Sequence, residues 1–155
     1  MLLETKGLVH MALLFGSTWV VNSFIFAAIL VMILLSNLFV LLVKPRNLLP
    51  YYTLLLTALL INTFVPMSHF LSLSANIRPV VSCATVFIPI FFAGIIFATE
   101  FRDSRKPDID MGSNIGGVIL GGLSENLSLV FGFNYILGVA IVYYVLSAVL
   151  KQLRK

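Results

Sequence analysis

Residues 18–43 read TWVVNSFIFAAILVMILLSNLFVLLV and are followed at once by Lys44-Pro45-Arg46. A helix that crosses a bilayer needs about 20 mostly apolar residues. This run holds no charged residue and is stopped by proline and charge together, so it predicts a transmembrane helix. The rest of the chain repeats the pattern. Of its 155 residues, 60% are hydrophobic and 10% charged, with a mean hydropathy of +1.07. Soluble domains carry roughly 25% charged residues. A chain this short cannot hide so much apolar surface from water, because small domains leave much of their surface exposed. Lipid is the solvent that composition demands.

Four further runs reach or approach the spanning length. The second is expected over 49–73, with Pro50 tolerated in its first turn and Pro66 stopping or kinking it. The third is expected over 79–99 with a kink at Pro89, the fourth over 114–131 and the fifth over 133–150. Residues 1–16, MLLETKGLVHMALLFG, are apolar but too short to cross alone. They predict an interfacial or re-entrant helix, or the tail of a spanning helix that begins upstream. The expected fold is therefore all-α: a polytopic transmembrane bundle of about five spans plus a short N-terminal helix, in one integral membrane domain.

Charge supports that count. Five spans put Lys44, Arg46, Arg102, Arg105, Lys106, Lys151, Arg154 and Lys155 on one side and leave Lys6 and Arg78 on the other. Eight against two obeys the positive-inside rule, which predicts a cytoplasmic C-terminus and an external N-terminus. The net charge of +4 is dispersed in these caps, so nucleic acid is not an expected partner. Trp19, Tyr51 and Tyr52 sit where interfacial anchors belong. The connection FRDSRKPDIDMGSN reads as a solvated loop. Glu4 ahead of Lys6, with no small-residue cleavage site, argues against a signal peptide.

The polar residues inside the spans carry the functional question. Glu125 is costly within a bilayer, roughly 2.5–3.5 kcal/mol on insertion scales, and is a functional candidate for that reason. Gly112/Gly116 and Gly117/Gly121 are both GxxxG pairs, and Gly117, Gly121 and Glu125 share one helix face. Such a face lets a neighbouring helix approach closely, so the four glycines are expected to pack helices. Glu125 then either fixes that packing or takes part in proton, cation or substrate binding. The first span carries Thr18, Asn22, Ser36 and Asn37 as a narrow polar stripe, suited to interhelical hydrogen bonds or to a water-lined path. Glu4 becomes a second intramembrane carboxylate if residues 1–16 belong to a span. Cys83 stands alone in an apolar run, which excludes an internal disulfide framework. His10 and His69 have no companion at ligand spacing, so no metal site is expected. GGVILGG lacks the Lys-Ser/Thr ending of a phosphate loop, and the sequon at Asn126-Leu127-Ser128 lies within a span.

Two stretches carry a family resemblance. MLLETKGLVHMALLFGSTWVVNSFIFAAILVMILLSNLFV and MGSNIGGVILGGLSENLSLVFGFNYILGVAIVYY resemble the late membrane segments of large bacterial proteins that carry a spermidine-synthase-like domain. Those segments hold an MLLE stretch within a helix, and a GGxxE element before the final hairpin. The resemblance implies a transporter-like membrane domain in a bacterial inner membrane. It also implies an upstream half, or a partner that supplies one, because MLLE falls mid-helix in that family. This sequence has no alternating strand and helix pattern, no glycine-rich nucleotide turn and no aspartate pair for an amine, so the polyamine chemistry does not carry over. Glu4 and Glu125 match glutamates of the two motifs, and no role comes with them.

Two functions fit. One is a non-enzymatic membrane module or subunit that packs with other transmembrane helices, whether a second copy or a missing upstream half. The other is half of a small-solute or proton-coupled transporter with Glu125 and Asn22 along the path. An enzyme is disfavoured: two histidines, one cysteine and scattered carboxylates assemble no nucleophile–base pair, and no cofactor motif is present.

Overall fold

A computed structural model describes residues 2–65, 67–72, 74, 77–132 and 134–153. These form eight helices and, among the described residues, no strand: α1 (Leu2–Phe15), α2 (Trp19–Val43), α3 (Leu49–Phe64), α4 (Met67–Leu71), α5 (Arg78–Arg102), α6 (Pro107–Asn126), α7 (Ser128–Phe131) and α8 (Asn134–Leu153). The all-helical, membrane-type bundle expected from the sequence is what forms. Four segments are long and apolar enough to cross a membrane: Trp19–Val43, Arg78–Arg102, Pro107–Phe131 and Tyr135–Leu153. Helix α3 is apolar but has 16 residues, about 24 Å of rise.

The bundle is apolar outside as well as in. Leu30, Leu34, Leu38 and Leu41 follow one another at helical spacing down the outer face of α2, and Trp19 is 83% exposed. Large contiguous apolar surface of this kind is not tolerated in water and suits lipid. The interior is built on α5, whose broadest contacts are with α2 and α3. Leu55 and Leu59 of α3, Phe87 and Ile95 of α5, and Ile136 and Leu137 of α8 are the largest fully buried side chains among the described residues.

Hydrogen bonds and an ion pair fix which ends lie together. Arg102 donates from Nη2 to the carbonyl of Pro45 at 3.1 Å, and Lys151 pairs with Glu100. The α2–α3 junction, the end of α5 and the end of α8 therefore share one end of the bundle. Lys44, Arg46, Arg102 and Lys151 lie at that end. Arg102 also chelates Asp103, at 2.8 and 3.0 Å, and this holds the Asp103 carboxyl below the usual carboxylate range. At the opposite end Arg78 donates to the carbonyl of Leu71 at 2.9 Å.

Several boundaries differ from expectation, each for a local reason. Helix α3 ends at Phe64, with Val65 in an extended conformation (φ −78°, ψ 111°), because the residue before a proline is pushed out of the helical region. Its expected continuation to Leu73 meets positions 66 and 73, which lie outside the described residues. Helix α6 starts at Pro107, seven residues before the apolar run. Proline at the first helical position and Asp108 and Asp110 in the first turn suit a helix N-terminus, so the expected loop shrinks to 103–106. The fourth span is interrupted at Leu127, after which α7 adds one turn and Gly132 ends it at φ 85°.

The short N-terminal helix expected from the sequence forms as α1. It packs against α2, α5 and α8 and buries Leu2, Leu3, Gly7, His10, Met11 and Leu14. Tyr52, expected as an interfacial anchor, is 4% exposed and shares a 2.9 Å hydrogen bond with Ser147 of α8.

Candidate functional site: the polar interior around the first helix

Gly7 sets how deep α1 sits. A Cβ added there would stand 2.9 Å from Cγ1 of Val86, so a side chain at position 7 would push α1 off α5. With α1 seated, its polar residues face other helices. Thr5 donates to Oε1 of Glu125 at 2.9 Å, across 120 residues of sequence. One residue before Glu125, Ser124 shares a 2.8 Å hydrogen bond with Tyr143 of α8. Glu125 is half-buried and held inside the bundle by α1, with its helix tied to α8. Glu4, also half-buried, lies within electrostatic range of Tyr144 of α8.

The second polar feature follows from Pro89. A proline inside a helix has no N–H to give the carbonyl four residues earlier, and that carbonyl belongs to Thr85. Asn62 of α3 supplies the missing donor, with Nδ2 at 2.9 Å from the Thr85 oxygen. The Thr85 hydroxyl donates in turn to the Val81 carbonyl at 2.8 Å. Helix α5 thus runs unbroken through Pro89 because a side chain from α3 repairs it. Beside this repair lies a cavity of about 10 Å³, lined by residues that include Lys6, His10, Asn62 and Pro89. His10 is 9% exposed. Its ring meets Phe70 edge-on at 5.3 Å, and its Nε2 is buried without a hydrogen-bond partner among the described residues.

The stripe on α2 divides by function. Thr18 caps the helix, its side chain accepting from the Val21 amide at 3.2 Å. Ser36 is fully buried, donates to the Ile33 carbonyl at 2.7 Å and lies against Gly94 of α5. Asn37 faces outward. Asn22 remains: its Oδ1 is buried without a partner among the described residues. The stripe is therefore two separate local devices, one outward residue and one whose side-chain oxygen is buried.

The glycine face of α6 is mostly open. Gly121 is buried, but a Cβ at Gly112, Gly116, Gly117 or Gly122 would meet nothing within 4 Å. Among the described residues the hydrogen bonds that tie α6 to other helices come from Ser124 and Glu125, near its C-terminal end. A wide groove of about 400 Å³ runs along the outer surface of α3 from Thr57 to His69. It is apolar and faces the region that lipid would fill. Among the described residues no three histidine, cysteine or acidic side chains gather where they could hold a metal. Cys83 is a free thiol.

Comparison with family models, with curated proteins and with solved structures finds no match to this chain.

Sequence reasoning missed Asn62, Thr5, Tyr52 and Ser147 as interior polar partners. Only Asn62 left a signal: Pro89 guarantees one orphaned carbonyl in α5, and an amide in a neighbouring apolar run is the kind of group that fills such a need.

Proposed function

We propose that this chain is a non-enzymatic helical membrane module that associates with a further transmembrane helix through the glycine face of α6. The observation that supports it is the bare surface at Gly112, Gly116 and Gly117, on a helix whose other end is already docked by Thr5 and Glu125. Association in lipid depends on close backbone approach, since apolar burial alone brings no advantage there. A helix with glycine at these spacings offers that approach. In this reading Glu125 fixes packing, Lys44, Arg46, Arg102 and Lys151 face the cytoplasm, and the module works beside a larger membrane protein of the kind its sequence resembles.

The test is association in bilayers, read by energy transfer between labelled copies and by co-purification from source membranes. Gly117→Leu should abolish association while helix content is retained. A wild-type chain that binds neither itself nor another membrane protein would sink the reading, and so would a Gly117→Leu chain that associates normally.

A second reading, half of a small-solute or proton-coupled transporter, draws support from the interior placement of Glu125. There, Glu125→Gln abolishes pH-dependent uptake in vesicles without lowering expression, and unchanged uptake by that variant ends it.

A further inference from the structure

The cavity beside Pro89 is walled by α1, α3, α5 and α8, with Lys6, Gly7, His10, Asn62, Pro89 and Leu137 among its lining. Three of these, Lys6, His10 and Asn62, are polar residues in a lining otherwise of hydrocarbon. Asn62 has committed its Nδ2 to the Thr85 carbonyl and keeps Oδ1 as an acceptor. His10 presents an Nε2 with no partner among the described residues, on a side chain more than nine-tenths buried. Lys6, one turn earlier on the same face of α1, carries an ammonium with three donors and no acceptor.

We propose that this cavity is a binding site for a single water molecule that links His10 of α1 to Asn62 of α3 beside Pro89 of α5. Size and hydrogen-bond chemistry agree. A volume of about 10 Å³ is at the lower end of what one water needs, and buried waters typically make about three hydrogen bonds. A water here accepts from Lys6 and donates to Asn62 Oδ1 and His10 Nε2. A small anion would meet the lone pairs of Asn62 Oδ1, and a cation would meet the Lys6 ammonium. Water alone suits all three groups. It also sets the imidazole tautomer, leaving the proton on Nδ1 and Nε2 as acceptor.

The chain has two histidines, which makes the site readable by solid-state NMR of histidine-labelled protein in bilayers. Exposed His69 serves as the internal reference. Magnetisation started on water should reach the His10 ring, with Nε2 unprotonated, at a rate comparable to His69. In Asn62→Leu the transfer to His10 should be lost while that to His69 stays. A wild-type His10 that receives no magnetisation from water overturns the site, whatever the variant does. So does transfer to His10 that Asn62→Leu leaves unchanged. A His10 resonance that moves when chloride is replaced by bromide also overturns it, because the occupant is then an anion.

Discussion

At Gly94 an added Cβ would lie 2.9 Å from the Cβ of Ser36, whereas at Gly112, Gly116 and Gly117 it would meet nothing within 4 Å. Gly94 belongs to no GxxxG pair, yet it is where α5 lies directly against Ser36 of α2. The motif-rich helix α6 is the one left uncovered. The difference shows what a glycine in a membrane helix encodes. It permits close approach, but the spacing motif does not say whether the approaching backbone comes from the same chain. Here the isolated Gly94 serves the internal fold, while Gly112, Gly116 and Gly117 of the repeated set have no internal partner.

Substitutions at the two places should therefore differ in sign. The largest effect is expected at Gly94→Ala, which overpacks the α2–α5 seam. Overpacking a filled interior costs about 1–3 kcal/mol, read as a lowered midpoint of denaturant unfolding in bicelles. Ser36→Gly should recover most of that loss in the double variant, since it removes the opposing side chain. If Gly94→Ala is neutral, the seam is loose and the contrast with α6 collapses.

Asn62→Leu tests the packed half at a second point. It leaves the Thr85 carbonyl without a donor, and interhelical hydrogen bonds in membranes contribute on average about 0.6 kcal/mol, up to roughly 1.7. A loss of about 1 kcal/mol is expected. In a Pro89→Ala background the helix supplies its own N–H, so the same substitution should cost less. Equal costs in both backgrounds would mean that Asn62 is not repairing the proline.

The smallest effect, and of opposite sign, is expected at Gly116→Ala. Removing a glycine from an exposed helix interior stabilises by about 0.5–1 kcal/mol, and nothing in this chain obstructs the added methyl. A destabilised isolated chain would show that α6 is packed more tightly in the bilayer than its open surface implies.

The fold class was legible because spanning helices are written in composition and length, as residues 18–43 illustrate. The ends were less so, for reasons found in single residues. Asp108 and Asp110 interrupt the hydropathy of α6 while favouring its N-terminus, so an apolar count begins the helix late. Residues 2–15 carry no distinct apolar stripe because α1 is surrounded by other helices on most sides, and a surrounded helix has no polar face to reveal it. The site was read in part. Glu125 and Asn22 stood out as polar residues in apolar runs, but Thr5 as the partner of Glu125 lies 120 positions away. Tyr52 looked like an interfacial anchor because its sequence neighbourhood cannot show Ser147 beside it. Such pairings exist only once helices are side by side.

The seating of α1 has a consequence for how the protein is made. Leu2 and Leu3 share a core with Ile136 and Leu137 of α8, and α1 packs against both α2 and α8. The ribosome delivers α1 well before α8, so one wall of its socket does not exist during most of synthesis. Helices α2 and α5 can pair as they emerge, but the bundle closes around α1 only after the final helix has entered the membrane. Until then, the side of α1 that will carry α8 is in the keeping of lipid or of the insertion machinery.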